Sequence, residues 1–366
     1  MKNFSLYFTL FLILFASCNK DDDTNDVPSH RTIIVYMAAD NDLSEDAWDN
    51  ISEMQTGFDG KNANLVVFID PSDDAPHILQ IERGSSKEVK TYSEFNSADA
   101  GQMGQVLNDI IGMYPAESYG LVLWSHGTSW LPASSRLKSF GEDNGQQMNI
   151  DALADALPVR FDFILMDACL MGSVEAAYEL RNKTDFIIAS PTEIIYMGFP
   201  YGQIIPELIR SESDLRKVAT DYFNFYDQMP GAYRSATISL INTKELEKLA
   251  AVTGQLIAGS PFNVETFDRT SVQRLDVYDE QYAFDFLDFL EKAFPDADTA
   301  PLKEQLDKTV LYQAHTPRFI DEYDICTFCG LSCYIPHPQR DDLNTYYQQL
   351  DWCQVAGFYR LFYESQ

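Results

Sequence analysis

Five short apolar runs constrain the fold more than any other feature of the sequence. They are Thr32–Met37, Leu65–Ile69, Gly120–Trp124, Phe163–Met166 and Phe186–Ala189. Each is apolar or β-branched throughout rather than alternating, the mark of a strand buried on both faces. Helical patterns lie between them. Leu43, Ala47, Ile51 and Met54 recur at helical spacing, and Gln102–Met113 reads as an amphipathic helix ended before Pro115. Asn149 can cap a helix through Leu157, and Ser173–Leu180 reads as another. Strands alternating with helices predict an α/β fold, a mostly parallel sheet covered on both faces. Ile78–Ile81 and Lys87–Thr91 read as a hairpin on its margin.

A helix over Ser213–Tyr226, a strand over Ser235–Ile241 and a helix over Thr243–Leu256 follow. The last third is less regular, with a helix over Tyr282–Phe294, a strand over Gly330–Ile335 and a closing aromatic segment, Trp352–Tyr363. No linker separates it, so it is expected to pack on the main sheet. The chain has 366 residues, enough for a large core. Its 56 acidic against 26 basic residues make nucleic acid an unsuitable partner.

The first residues look like an address rather than a fold. Met1-Lys2-Asn3 precedes an apolar run from Phe4 to Phe15, then Ala16, Ser17 and Cys18. A membrane-spanning helix needs about 20 apolar residues, more than this run supplies. The segment resembles a bacterial lipoprotein signal peptide in which Cys18 is lipidated, with Phe15 where leucine is usual. Asn19–Ser29 is polar and acidic, a tether in character. An acidic run at this place resembles the surface-export signal of Bacteroidota lipoproteins. An outer-membrane location follows, surface-exposed or facing the periplasm.

The chemistry lies at two strand ends. Phe161–Gly172, FDFILMDACLMG, finishes in Asp167-Ala168-Cys169, and Gly120–Trp124 is followed by Ser125-His126-Gly127. Parallel strands present their carboxyl ends along one edge, where open α/β sheets place ligands. An imidazole and a thiol therefore fall near one another. A thiol of pKa about 8.5 is mostly protonated at neutral pH, and an imidazole can generate the thiolate or protonate a leaving amine. Gly127 lets a backbone N–H approach closely, as an oxyanion donor must.

These residues resemble the caspase-like cysteine peptidases, and among them the clostripain family. WSHG at Trp124–Gly127 and LMDACLMG at Leu165–Gly172 look like its active-site signatures. YMAADNDL at Tyr36–Leu43, SPTEIIYMGFPY at Ser190–Tyr201 and GLSCYIP at Gly330–Pro336 look like its other conserved segments. The resemblance implies Cys169 as nucleophile and His126 as general acid/base, with no third catalytic residue required. It places Gly127 and Cys169 N–H groups at the oxyanion, and Asp167 as the carboxylate that reads a basic P1 side chain. A carboxylate at a pocket floor favours Arg or Lys there; the bland alternative is that Asp167 only caps a turn. The substrates implied are peptides or proteins with Arg or Lys at P1. Relatives are often zymogens cleaved between the histidine and the cysteine, where Arg136 and Lys138 are the basic residues of this loop. The chain then divides into a signal peptide at 1–18, a tether at 19–31, a caspase-like catalytic core at 32–230 and a C-terminal α+β subdomain at 231–366.

No cofactor is required by this reading, and no metal ligands are assigned. Calcium enters through the resemblance alone, with oxygen ligands offered by the loops Asp40–Asp42 and Asp70–Asp74. Neither has an EF-hand pattern, so both read as solvated. Cys326, Cys329, Cys333 and Cys353 invite a zinc or redox reading, but their spacing fits structural thiols or one disulfide better. The competing function is a catalytically silent, surface-anchored binding protein on the peptidase fold. A serine hydrolase is excluded for want of a G-x-S-x-G elbow.

Overall fold

The computed structural model describes residues 29–132, 139–259 and 261–362. Its centre is a nine-stranded sheet. The strands β1 (Ser29–Ala39), β2 (Ala63–Pro71), β3 (His77–Glu82), β4 (Ser85–Thr91) and β5 (Ala116–Trp124) come first. A small hairpin follows, β6 (Phe140–Asp143) and β7 (Gln146–Met148). Then come β8 (Phe161–Asp167), β9 (Thr184–Ala189), β10 (Thr237–Asn242), β11 (Phe284–Asp285) and β12 (Val310–His315). The order across the sheet is β12-β10-β9-β8-β5-β1-β2-β3-β4. The five central strands, β9 to β2 in that order, are parallel, and each is one of the five apolar runs.

Parallel strands need crossover helices, and these cover both faces. Along β1 the side chains alternate. Ile34, Tyr36 and Ala38 join the core beneath α2 (Ala100–Met113), α3 (Ile150–Ala156) and α4 (Val174–Glu179), whereas Ile33, Val35 and Met37 join the opposite core. That second core lies under α1 (Ser44–Gly57), α5 (Tyr201–Leu208) and α6 (Leu215–Asp227). The residues placed on helical spacing, Ala47, Ile51 and Met54, are the buried stripe of α1.

Past residue 230 the chain stays with this sheet. β10 pairs antiparallel with β9, and β12 antiparallel with β10. The expected strand Gly330–Ile335 is a correction: only Ser332–Cys333 pairs, with β11 and outside the main sheet. Gly330 has φ of +89°, and Tyr334 N–H is taken by Glu175 Oε1 at 2.9 Å instead of a neighbouring strand. The loop in which Arg136 and Lys138 fall is followed by the short strand β6 before Asn144. The first strand begins at Ser29 rather than Thr32. Arg31 fastens its start, with Nη2 2.5 Å from Asp162 Oδ2, Nη1 2.6 Å from Arg210 O and Nε 3.0 Å from Ser118 Oγ.

Candidate active site

β5 and β8 are adjacent and parallel, with Trp124 opposite Asp167. Beyond that pair both strands end, and Ser125 N–H still reaches Asp167 O at 3.3 Å. Continuing this register brings His126 alongside Cys169. The approach is tight: a Cβ on Gly127 would lie 2.9 Å from both Ala168 Cβ and Cys169 O. Any other residue at 127 would push the two strand ends apart. Leu170 holds φ of +65° while fully buried, so the chain turns sharply off β8 directly after the thiol. A non-glycine residue in this conformation costs about 1 kcal/mol and persists only where packing enforces it. Here Leu170 N–H donates to Thr192 O at 2.9 Å.

His126, Cys169 and Asp167 line one cavity of about 200 Å3, with Trp124, Ile194, Tyr196 and Gly198 among its other walls. Cys169 is half-buried, and its sulfur accepts from Ile194 N–H at 3.3 Å. Burial, with Glu193 nearby, pushes its thiol up to about 12, against the pull of the Ile194 N–H. The resting sulfur is therefore the thiol and not the thiolate at neutral pH. Neither Gly127 N–H nor Cys169 N–H has a backbone acceptor among the described residues.

The Asp167 carboxylate is held by donors from another segment of the chain. Its Oδ2 accepts from Tyr201 O–H at 2.7 Å and Phe199 N–H at 3.1 Å. Its Oδ1 takes neither bond, and the residue lines the cavity. Burial raises the carboxyl to about 6, although the two donors favour the charged form. Gly198, with φ of +64°, makes room for this carboxylate: a Cβ there would meet Asp167 Oδ2 at 2.6 Å.

Several members of the site were not singled out from the sequence. Tyr201, Gly198, Ile194 and Glu193 all lie in Ser190–Tyr201, a stretch marked only as a motif. Glu193 packs beside the thiol, and burial raises its carboxyl to about 7. Its Oε1 accepts from Val277 N–H at 3.0 Å, while Oε2 is buried without a partner. The sequence pattern offers Asp42 only as a loop oxygen, yet its Oδ1 lies 2.7 Å from His126 Nε2. A strand-end acid 84 residues from the histidine carries no local signal of this pairing.

Among the described residues, no three His, Cys, Asp or Glu side chains are grouped to hold a metal ion. Asp42 is turned to His126, and Asp40 Oδ2 accepts from Asn144 Nδ2 at 2.9 Å. Cys329, Cys333 and Cys353 are free thiols, half-buried or buried, and Cys326 is free and exposed. Cys18, Arg136 and Lys138 lie outside the described residues. No helix among the described residues is long and apolar enough to cross a membrane.

The sequence and the fold both have known relatives. The family model described as the clostripain family matches residues 35–353. Clostripain of Hathewaya histolytica is 26% identical over 219 residues, covering 48% of this chain and 42% of that protein. This chain thus spans less than half the length of that relative. An inactive zymogen C11 protease from Parabacteroides distasonis superimposes with a TM-score of 0.80 at 31% identity, over 90% of this chain and 98% of that one. A secreted C11 cysteine protease from Bacteroides thetaiotaomicron, in complex with an irreversible peptide inhibitor, gives 0.80 at 30% identity, over 90% and 99%.

Proposed function

This chain belongs to the clostripain family of cysteine peptidases, and from that premise we propose that it is an endopeptidase that cleaves after Arg or Lys through a Cys169–His126 dyad. The observation that carries the reading is the shared register of β5 and β8, which sets His126, Cys169 and Asp167 around one cavity. His126 takes the proton from Cys169 Sγ, and the thiolate attacks the scissile carbonyl carbon. Gly127 and Cys169 N–H groups receive the oxyanion. The imidazolium then protonates the leaving amine, and a thioester to Cys169 remains. Water, deprotonated by His126, hydrolyses it and frees the thiol.

Asp167 Oδ1 is the acceptor for a P1 ammonium or guanidinium, since Oδ2 is already engaged. An apolar P1 would leave a buried carboxylate without a counter-charge, which disfavours it. Self-cleavage after Arg136 or Lys138 suits the same specificity. Lipidation at Cys18 would place residues 32–366 at the outer membrane on an acidic tether.

Fluorogenic peptides with Arg, Lys, Asp, Asn or Leu at P1 test the reading, with Cys169→Ala beside the wild type. Turnover only after Arg or Lys, lost in the mutant, is expected. Turnover after Asp or Asn would keep the dyad and discard the role of Asp167. No turnover after limited trypsin treatment would favour a silent binding protein on the same fold.

A further inference from the structure

The dyad reading leaves one contact without a task. His126 Nε2 and Asp42 Oδ1 are 2.7 Å apart, yet Asp42 is 84% exposed. An ion pair that open to water contributes little to stability. Its surroundings are nevertheless built to hold it. Asn41 Oδ1 accepts from Leu43 N–H at 2.9 Å, and Asn41 Nδ2 donates to Ala38 O at 3.0 Å and Glu142 O at 2.8 Å. One residue earlier, Asp40 O accepts from Asn144 N–H at 3.2 Å. Asp42 therefore directly follows two residues tied to the hairpin that contains β6.

The same hairpin holds the histidine. Gly141 N–H donates to His126 O at 3.0 Å. Glu142 N–H donates to Ser125 Oγ at 3.0 Å, and Ser125 Oγ donates to Ala38 O at 2.6 Å. Asp42 and His126 are thus fastened to one frame, so their separation is set by backbone rather than by two mobile side chains. The hydrogen bond to His126 is also the leading reason that the Asp42 carboxyl lies below its ordinary range.

We propose that Asp42 is a positioning residue for His126. Its carboxylate accepts Nε2–H, which fixes the ring and its tautomer and leaves Nδ1 as the nitrogen that exchanges a proton with Cys169 Sγ and the leaving amine. When the imidazolium forms, the carboxylate already faces it, so the charge develops beside a preset partner. Asp42 touches neither substrate nor sulfur, and it acts only through the imidazole. This proposal rests on the dyad reading above.

The test uses the full chain with Asp42→Ala and Asp42→Asn, measuring kcat and KM on the preferred basic-P1 peptide. In parallel, the rate of Cys169 alkylation by iodoacetamide is followed, a small neutral reagent that does not need a substrate site. The Asp42→Ala chain should lose about tenfold in kcat at unchanged KM, the scale of one exposed charge-assisted hydrogen bond. Alkylation should slow with it, and melting temperature should stay at the wild-type value. Asp42→Asn, whose Oδ1 can still accept Nε2–H, should recover most of the loss. Wild-type kcat and alkylation in Asp42→Ala would overturn the proposal. So would a loss confined to KM, which would make Asp42 a rim charge that attracts cationic substrate. Absence of any Cys169-dependent turnover in the wild type would bring down the dyad reading itself, and the proposal with it.

Discussion

Asp167→Asn should make this protein more stable and less active at once. The carboxyl is 5% exposed, and burial raises it from the ordinary 3.8 to about 6. A group whose folded value lies above its unfolded value binds more protons when folded. Stability therefore falls as pH rises from about 4 to about 6, and the penalty is complete above that window. At 1.36 kcal/mol per pKa unit, a shift of about 2 units corresponds to about 3 kcal/mol at pH 7.5. Asparagine carries no such charge, and its Oδ1 can still accept from Tyr201 O–H and Phe199 N–H. At an unfolding entropy of about 2 cal/mol/K per residue, about 3 kcal/mol raises Tm by about 4 °C in a domain of this size. The gain should appear in thermal melts at pH 7.5 and vanish near pH 4, where the wild-type carboxyl is neutral as well. The cost falls on recognition of a basic P1. Removing one partner of a buried charge pair loses about 2–5 kcal/mol, so kcat/KM on Arg and Lys peptides should drop at least about 30-fold. Peptides with Leu at P1 should be cleaved no worse. A variant with Tm at or below the wild-type value at pH 7.5 would refute the claim that this site stores an uncompensated charge. Undiminished cleavage after Arg would refute its assignment to P1.

Gly127→Ala should cost about 100-fold in kcat, the scale expected from displacing reacting groups by up to an ångström. The added methyl would stand 2.9 Å from Ala168 Cβ and Cys169 O, and wild-type kcat would show that the strand ends can part freely. Arg31→Met should lower stability by about 2–3 kcal/mol, because Arg210 O and Ser118 Oγ lose a buried donor while Asp162, half-exposed, rehydrates. Urea melts should move to a lower midpoint at unchanged slope. Activity below the transition should hold, since Arg31 lies at the end of the sheet opposite His126.

The apolar runs are enough to specify the central sheet and to put His126 and Cys169 on one edge of it. Runs such as Leu65–Ile69 and Phe163–Met166 are apolar on both sides of the strand, and only a parallel sheet covered on both faces buries them so. Once those strands are parallel, His126 and Cys169 share an edge, whatever else the chain does. That inference needs only the period of side chains along a strand and the direction of the chain. Tertiary structure alone decided which polar atoms meet around that edge. Asp42 reaches His126, Tyr201 reaches Asp167, and Ile194 N–H reaches the Cys169 sulfur, across separations of 84, 34 and 25 residues. A hydrogen bond depends on distance and angle between two atoms, and neither partner's neighbours in the chain encode where the other will lie. The same limit explains Gly330–Ile335. Its apolar pattern fits a sheet strand, but Glu175 holds the Tyr334 N–H that a longer strand would have used. Local pattern governs what a segment can bury, and the packed molecule settles which partner claims its polar groups.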